Sequence, residues 1–342
     1  MSTDTAQQLG SGAPTLEMVA ALAGVSRSTV SRVVNGSPRV APAALEAVNR
    51  AIRELGYVPN RAARTLVSRR TQAIALVIPE NTAKFFADPF FASVIQGIAL
   101  HLASTEYTLS MLIASETDAD KTRRYLRGGN VDGALILSHH SEDGSYREVA
   151  SSLPVVFGGR PMSEEGGENF VVDVDNIESA AVATRYLIDH GRVRLATIAG
   201  PQDMAAGLDR LEGWRRALTT AGLATDLVEI GDFTPSGGAA AMERLLARGE
   251  KFDAVFIASD QMASGALGVL RAHGLTVPGD VAIVGFDNDY FSTTSMPPLT
   301  TVAQPAVALG SRMAETLLRL LGGGSVERLT IIPTELIERE SV

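Results

Sequence analysis

One short stretch near the N-terminus combines hydroxyl and arginine side chains at helical spacing, which is the chemistry that DNA recognition requires. Ser26, Arg27, Ser28, Ser31 and Arg32 share the polar side of a predicted helix whose other side carries valines. Hydroxyl and guanidinium groups donate hydrogen bonds to phosphates, and a guanidinium fork also fits the edge of guanine. The stretch therefore predicts a helix that reads the major groove, with an ordinary helical hairpin as the alternative.

The residues around this helix predict the elements that position it. Ala20 is small where two helices must cross, Gly24 tolerates a left-handed turn, and Val25 begins the apolar side of the second helix. A third helix is predicted to start at Pro42 and to end at Gly56, with apolar residues at steps of three and four between them. Together these features predict an all-α helix-turn-helix head.

The distribution of charge also favours nucleic acid as a partner of the head. Residues 1–70 carry nine arginines, no lysine and four acids, a net charge of +5, although the whole chain has a net charge of −9. The remaining residues therefore carry −14. A basic segment joined to an acidic body is typical of nucleic-acid-binding proteins, and a charged surface divided by chance is the alternative.

Length and composition exclude several other classes of protein. At about 150 residues per domain, 342 residues predict two or three folding units. The absence of cysteine excludes disulfide scaffolds, thiolate zinc sites, iron–sulfur clusters and cysteine nucleophiles. No run of about 18 apolar residues occurs, and the first 14 residues are small and polar, so we expect neither a membrane span nor a secretory leader, and a cytoplasmic location.

From residue 73 onward, apolar runs of strand length alternate with helical patterns. Strand candidates include 73–78, 133–137 and 195–199, and helix candidates include 90–104 and 209–221. Strands that are apolar on both faces and alternate with helices predict parallel sheets covered by helices. Because about 270 residues exceed what one such sheet needs, we expect an α/β core of two Rossmann-like lobes.

The residues of the head carry a resemblance to a known family. The sequence from Pro14 to Gly36, followed by Leu55–Leu66, resembles the lactose-repressor family of bacterial transcription regulators, and the likeness extends from Thr15 to Ser341. The body adds motifs in the family's order: Asp88-Pro89-Phe90-Phe91, Asp173-x-Asp175-Asn176, Gly213-Trp214, Ala258-Ser259-Asp260-Gln261 and Val284-Gly285-Phe286-Asp287. The resemblance implies a homodimeric repressor that binds a near-palindromic operator and has a periplasmic-binding-protein-like core for a small carbohydrate effector.

This likeness also implies a division of the chain and a set of DNA contacts. We expect a disordered N-terminus over 1–13, a helix-turn-helix domain over 14–59, a hinge helix and linker over 60–72, and a two-lobed effector-binding and dimerisation domain over 73–342. Arg27 and Ser28 match the family's base-selecting positions, whereas Leu66 matches a leucine that wedges into the minor groove, with packing on the core as its alternative. The implied DNA-binding residues are Thr15, Ser26, Arg27, Ser28, Thr29, Ser31, Arg32, Asn35, Tyr57, Asn60, Ala63 and Leu66.

The effector site is likewise implied by matching positions. A sugar offers hydroxyl groups at its edges and C–H groups on its faces, so its recognition needs forked polar groups and an apolar platform. The implied residues are Phe86, Asp88, Phe91, Arg160, Arg210, Phe233, Ser259, Asp287 and Gln304. Two alternatives stay open: Asp287 could be a turn residue, and Phe233 could be buried packing.

The segment 79–88 narrows the resemblance further. Its sequence is longer than the family's usual link and resembles the cellobiose-responsive repressors of actinobacteria, which agrees with the excess of arginine over lysine, 27 to 3. Phe85 and Phe86 would then stand at the rim of the cleft and suit a second sugar ring. The alternative is a lid filled by its own phenylalanine side chains.

Three rival functions remain at this stage. An enzyme is disfavoured because GxxxxGK and GxSxG motifs are absent, although Asp287 and Asp289 could form a catalytic pair. The adjacent His139 and His140 lack an acidic third ligand at a suitable spacing, so we expect no metal and no cofactor. A sugar-binding transport receptor would share the core but not the head, and a transcriptional activator would share both. We expect a cytoplasmic, nucleoid-associated repressor that is not an enzyme.

Overall fold

The computed structural model describes residues 13–34, 37, 39–58, 70–113, 119–140, 149–162 and 169–342. The chain divides into two compact units, Met1–Thr71 and Gln72–Val342. Among the described residues, no helix is long and apolar enough to cross a membrane.

The first unit contains three helices around a small valine-rich core. They are α1 (Leu16–Ala23), α2 (Arg27–Val34) and α3 (Pro42–Leu55). Val19, Val30 and Val48 are each fully buried and bring the three helices together. Gly24 ends α1 in the left-handed conformation, with φ of 66°, as the sequence predicts. The helix-turn-helix order is therefore built by the same residues that the sequence singled out.

The second unit begins with a lobe that contains a six-stranded parallel sheet in the order β11-β5-β4-β3-β1-β2. Each residue of β1 and β3 is buried, because helices or loops cover both faces of these central strands. Its strands are β1 (Ala73–Ile78), β2 (Thr108–Ile113), β3 (Gly133–Leu137), β4 (Val155–Gly158), β5 (Phe170–Val174) and β11 (Leu329–Ile332). Its helices are α4 (Thr82–Ala87), α5 (Pro89–Leu102), α6 (Ala119–Arg127) and α12 (Ala306–Leu321).

A second lobe repeats this arrangement with the order β12-β10-β9-β8-β6-β7, in which only β12 is antiparallel to its neighbour. Its strands are β6 (Leu195–Ala199), β7 (Val228–Ile230), β8 (Ala254–Ile257), β9 (Ala282–Asp287), β10 (Thr300–Ala303) and β12 (Glu335–Ile337). Its helices are α7 (Asn176–Asp189), α8 (Ala205–Ala221), α9 (Pro235–Ala247), α10 (Asp260–Ala272) and α11 (Tyr290–Thr294). Trp214 on α8 is fully buried in the core between α7, α8 and the sheet.

The chain passes between the lobes three times, after β5, after β10 and between β11 and β12. The second passage leads into α12, which packs along α5 in the first lobe. In both sheets the strand order reverses beside the first strand, and ligands bind beyond the carboxyl ends of strands at such a switch point. The two lobes and their parallel sheets confirm the predicted fold class.

Candidate functional site

The head presents the polar side of α2 to solvent and buries its valine side. Arg27 and Arg32 are exposed, and Val30 is fully buried. The Arg27 guanidinium lies 3.0 Å from the Glu17 carboxylate, but the two side chains remain 74% and 58% exposed. Because an exposed ion pair is worth little in water, a phosphate or a base can replace Glu17 as the partner at low cost.

Hydroxyl groups fix the start of the same helix. Ser26 accepts a hydrogen bond from the backbone N–H of Thr29 at 3.2 Å, and its hydroxyl lies 2.8 Å from that of Ser28. Thr15 does the same for α1 by accepting from the backbone N–H of Met18 at 3.4 Å. The Ser26 cap orients the first turn of α2, including the predicted base-selecting position Ser28.

The remaining predicted DNA contacts are placed differently. Ser31 is partly buried on α2, and Tyr57 is 8% exposed because its ring packs into the core of the head. A phosphate contact by Tyr57 would therefore depend on its hydroxyl alone. Four predicted residues lie outside the described part of the chain: Asn35, Asn60, Ala63 and Leu66.

In the second unit, a cleft separates the carboxyl ends of the two sheets. It encloses about 710 Å³, including space open to solvent. Residues from both lobes line it: Lys84, Asp88, Phe90, Phe91, Leu137, Ser138, Gly158, Gly159, Asp173, Asn176, Met204, Ala206, Arg210, Phe233, Ser259, Gln261, Asp287, Gln304 and Leu309. The cleft thus combines one apolar wall with several convergent polar groups, which is the usual composition of a small-molecule site.

Arg210 on α8 is the central cation of this cleft and is only 4% exposed. Its guanidinium donates to the Asn176 amide oxygen at 2.9 Å, the Ala258 carbonyl at 2.6 Å and the Gln304 amide oxygen at 2.8 Å. It also lies 3.6 Å from the centre of the Phe286 ring. Because four neighbours hold it, the guanidinium is oriented before any ligand arrives.

Carboxyl groups surround this cation. Asp287 lies 3.3 Å from the Arg210 guanidinium, and burial raises the pKa of Asp287 to about 8 despite that cation. Burial also raises the pKa of Asp173 to about 6 and the pKa of Asp88 above its usual value. The cleft can therefore both donate to and accept from hydroxyl groups near neutral pH.

Three aromatic rings supply the apolar surface. Phe90 and Phe91 come from the start of α5, and Phe233 comes from the turn before α9, where its φ is 64°. A Cβ atom on Gly200 would lie 2.3 Å from the Phe233 ring, so a glycine is required where that ring crosses the end of β6. Phe233 lines the cleft and also packs on the core of the second lobe. The position is therefore compatible with both sequence interpretations, an aromatic platform and a packing residue.

Other predicted residues line the cleft and also cap the helices that begin there. Asp88 accepts from the backbone N–H of Phe90 at 2.9 Å, and Ser259 accepts from that of Met262 at 3.2 Å. Gln304 follows β10 at the second passage between the lobes. The structure thus brings together Asp88, Phe91, Arg210, Phe233, Ser259, Asp287 and Gln304.

Two predicted effector residues do not line the cleft. Phe86 is 76% exposed, and its neighbour Phe85 is instead buried in the first lobe against Phe91, at 5.3 Å between ring centres. Burial therefore contradicts the rim position of Phe85, which fits the alternative of a segment filled by its own side chains, whereas the rim position of the exposed Phe86 stays a prediction. Arg160 forms an ion pair with Asp209, whose carboxylate takes two of its N–H groups.

Sequence reasoning missed several polar residues of the site. Gln261 is buried at the start of α10 and lies close enough to Asp88 of the other lobe to oppose the rise in the pKa of that carboxyl group. The amide oxygen of Asn176 accepts a hydrogen bond from Arg210, and Lys84 lies on the wall of the cleft beside Asp88. The motifs Asp173-x-Asp175-Asn176 and Ser259-Asp260-Gln261 contain the signal, because each lies at the carboxyl end of a strand that reaches the cleft.

The histidine pair has separate surroundings in the structure. His139 is buried beside the Phe157 ring, and His140 lies between Glu80 and Asp203. Within the described residues, no group of three or more histidine, aspartate or glutamate side chains is arranged to hold a metal ion.

Both units match known protein families. Residues 15–60 match the family model described as bacterial regulatory proteins, lacI family, and residues 184–342 match a periplasmic binding protein-like domain. The HTH-type transcriptional regulator CelR of Thermobifida fusca is 49% identical over 333 residues, which cover 96% of this chain and 98% of that protein. The chain belongs to the lacI family. The ribose operon repressor of Escherichia coli is a further member, 35% identical over 96% of this chain and 99% of its own length.

Solved structures of lacI-family proteins have the same architecture. A transcriptional regulator CelR–cellobiose complex is similar with a TM-score of 0.77 and 46% identity, covering 96% of this chain and all of that chain. A lac repressor dimer bound to operator and the anti-inducer ONPF is similar with a TM-score of 0.84 and 28% identity, covering 96% of this chain and 99% of that chain. The chain is thus a DNA-binding transcriptional regulator with a periplasmic-binding-protein-like core.

Proposed function

We propose that this chain is a homodimeric repressor of carbohydrate-utilisation genes that leaves its operator when a β-gluco-oligosaccharide such as cellobiose binds the cleft. The single observation that carries the proposal is the prearranged Arg210 in a cleft of mixed polar and aromatic lining, in the same chain as a helix-turn-helix head. Operator DNA would place the protein in the cytoplasm, on the nucleoid.

The DNA-binding half of the proposal is supported by the surface of α2. Two heads of a dimer would enter successive major grooves of a near-palindromic operator, with Arg27 and Ser28 on base edges and Arg32 nearby. Thr15, Ser26, Thr29, Ser31 and the hydroxyl of Tyr57 would contact or position phosphates. Asn35, Asn60, Ala63 and Leu66, which lie outside the described residues, keep the phosphate, hinge and wedge roles that the family resemblance implies.

The chemistry of the cleft supports a neutral sugar as the effector. Arg210 supplies N–H donors, the carboxyl groups of Asp88 and Asp287 supply acceptors, and the rings of Phe91 and Phe233 supply flat apolar surface for C–H groups. Buried carboxyl groups beside the site disfavour an anionic ligand such as a sugar phosphate. Among neutral sugars we favour cellobiose, because the CelR structure that resembles this chain over 96% of its length is a cellobiose complex.

Signal transfer would use the movement of the two lobes. Gln261 of the second lobe already reaches Asp88 of the first, so a sugar that bridges the same two residues stabilises a closed cleft. Closure would shift the subunit interface and disfavour pairing of the hinge helices. Coupling of this kind is typically worth about 1–3 kcal/mol per site.

Catalysis is the rival that the site supports least, and we propose that the chain is not an enzyme. Asp289 is drawn away from the cleft as the cap of α11, because its carboxylate accepts from the backbone N–H of Phe291 at 2.8 Å. Asp287 is occupied by Arg210. Incubation of the purified protein with cello-oligosaccharides should leave them intact by chromatography, and any turnover would contradict this part of the proposal.

Isothermal titration with cellobiose, maltose, lactose and glucose tests the effector assignment. We expect cellobiose to bind most tightly and glucose to bind weakly, since one ring offers about half of the hydroxyl groups and apolar faces that the disaccharide presents to the cleft. A maltose Kd equal to the cellobiose Kd would contradict the β-gluco assignment.

A transcription assay with the operator upstream of a promoter separates the repressor from the activator alternative, because only a repressor lowers transcript levels without sugar.

A further inference from the structure

Two ion pairs connect the lobes outside the lining of the cleft. His140 Nδ1 lies 2.7 Å from a carboxylate oxygen of Asp203, and Arg160 Nε and Nη2 lie 2.9 Å and 2.6 Å from the two oxygens of Asp209. The cations belong to the first lobe and the carboxylates to the second. None of these four residues lines the cleft, so the pairs are not parts of the sugar site itself.

The four residues are concentrated on neighbouring elements. His140 and Arg160 follow β3 and β4, which are adjacent strands of the first sheet. Asp203 precedes α8 and Asp209 lies in its second turn, next to Arg210. Both pairs therefore connect the first lobe to the beginning of the one helix that carries the central cation of the site.

Each pair is anchored on the first-lobe side. The carboxylate of the buried Glu80 accepts from Ser138 at 2.7 Å and from Lys84 at 2.9 Å and lies 3.2 Å from His140 Nε2, which fixes the imidazole ring. The backbone N–H of Arg160 donates to Asp173 at 3.0 Å. Since Lys84, Ser138 and Asp173 line the cleft, the anchors connect the ion pairs to the site.

We propose that these two ion pairs, the interlobe clasp of His140–Asp203 and Arg160–Asp209, set the sugar affinity of the protein by holding the closed arrangement of the lobes. The inference rests on the proposed function, since it requires a sugar that binds the closed cleft. A ligand that prefers one arrangement binds more weakly when that arrangement is less populated. Loss of the clasp therefore weakens sugar binding although no direct contact to sugar is removed.

A double-mutant cycle on the bidentate pair tests the clasp. The variants are Arg160→Met, Asp209→Asn and the double variant, and the readout is the cellobiose titration followed by the fluorescence of Trp214, the only tryptophan of the chain. We expect each single variant to raise the Kd about three- to tenfold, a range that reflects a bidentate but partly exposed pair. The double variant should be no weaker than the single ones.

Arg216→Met and Glu212→Gln are the matched controls, because Arg216 and Glu212 form an ion pair at 2.7 Å on the same helix without leaving the second lobe. They should leave the Kd unchanged. A Kd unchanged in all Arg160 and Asp209 variants overturns the proposal. So does a loss confined to Arg160→Met, which would make Arg160 a direct sugar ligand. The cycle of His140→Gln and Asp203→Asn repeats the test on the second pair.

Small-angle X-ray scattering of the full chain without ligand separates failure of the clasp from failure of the proposed function. Combining Asp203→Asn with Asp209→Asn should increase the radius of gyration relative to the wild type and to Glu212→Gln, whether or not cellobiose is the effector. Cellobiose should restore the compact value. An unchanged radius in this variant contradicts the clasp, whereas a wild-type chain that ignores cellobiose contradicts only the effector assignment.

Discussion

Two arginines show how differently the two units of this protein use the same side chain. Arg27 in the head is exposed and pairs with a glutamate that is also exposed, whereas Arg210 in the cleft is buried and is held by neighbours on several elements. The pKa of Arg210 is lowered because its burial disfavours the charge. The first is free to exchange partners, and the second is fixed for one ligand.

This difference corresponds to two kinds of ligand. A duplex is a long array of phosphates that an exposed cation can reach in several ways, and its binding depends strongly on salt. A sugar is small and neutral and is selected by groups that cannot rearrange, because mobile groups would lose entropy on binding. Operator affinity should therefore fall steeply with ionic strength, and sugar affinity should change much less, with only the partly exposed clasp pairs open to screening.

The largest expected effect comes from the buried arginine. Arg210→Met removes the donors to Asn176 and Gln304 and should weaken sugar binding by about 100-fold, since a hydrogen bond from a charged group is worth about 1.5–3 kcal/mol. Operator binding should persist, and the exposed Arg216→Met on the same helix should change neither. Circular dichroism checks that both variants fold. A variant of Arg210 that keeps its sugar affinity would remove the residue from the site.

The next effect concerns the exposed arginine. Arg27→Ala should weaken operator binding by about tenfold or more, because a guanidinium contact to a base is worth about 1–3 kcal/mol. Glu17→Gln, which removes only the competing partner, should leave binding equal or tighter. Fluorescence anisotropy at constant salt measures both. Equal weakening by the two substitutions would mean that the ion pair matters for folding of the head instead.

Leu66 tests the hinge, which lies outside the described residues. Leu66→Ala should weaken operator binding by about an order of magnitude, because a wedge that kinks the duplex earns contacts worth a few kcal/mol. The sugar Kd should stay the same, since the change is outside the second unit. Undiminished binding in a gel-shift assay, with Leu55→Ala as a variant of the head core for comparison, would argue against the wedge.

A smaller effect is expected from pH. The carboxylates of Glu80 and Asp203 raise the pKa of His140 to about 9 from 6.5, with Lys84 on the far side of Glu80. A raised pKa means that the protonated ring stabilises the fold fully below pH 6.5 and that this contribution is lost as the pH rises through 9.

We expect this contribution to be about 1–2 kcal/mol after solvent screening of the half-exposed Asp203. The thermal midpoint should therefore fall between pH 7 and pH 9.5 more steeply in the wild type than in His140→Gln. Parallel curves for the two proteins would show that His140 does not hold its proton in this way.

The parts of the molecule that were predicted from sequence are those that local patterns determine. The helix-turn-helix, with Gly24 at its turn, follows from residues close together in the chain, and β1, β3 and β6 coincide with apolar runs. Arg210 was placed because its surrounding motif resembles that of a family. The predictions that failed concern residues whose neighbours in space come from distant segments of the chain.

Phe85 and Arg160 illustrate that limit. Both were expected at the cleft because of the family resemblance, but Phe85 turns into the core beside Phe91, and Arg160 pairs with a carboxylate on a helix 49 residues later. No periodicity encodes such a partner. Gln261 was missed for the same reason, because only the meeting of the two lobes brings it to Asp88.

The most direct test of the account is release of operator by sugar. The wild-type protein is bound to a fluorescent operator duplex at constant salt, and cellobiose, maltose or lactose is added while anisotropy is recorded. We predict that cellobiose returns the anisotropy to that of free DNA and that Arg210→Met stays bound throughout. An operator complex that persists at saturating cellobiose, or that every sugar dissolves equally, would contradict the coupling of the two units.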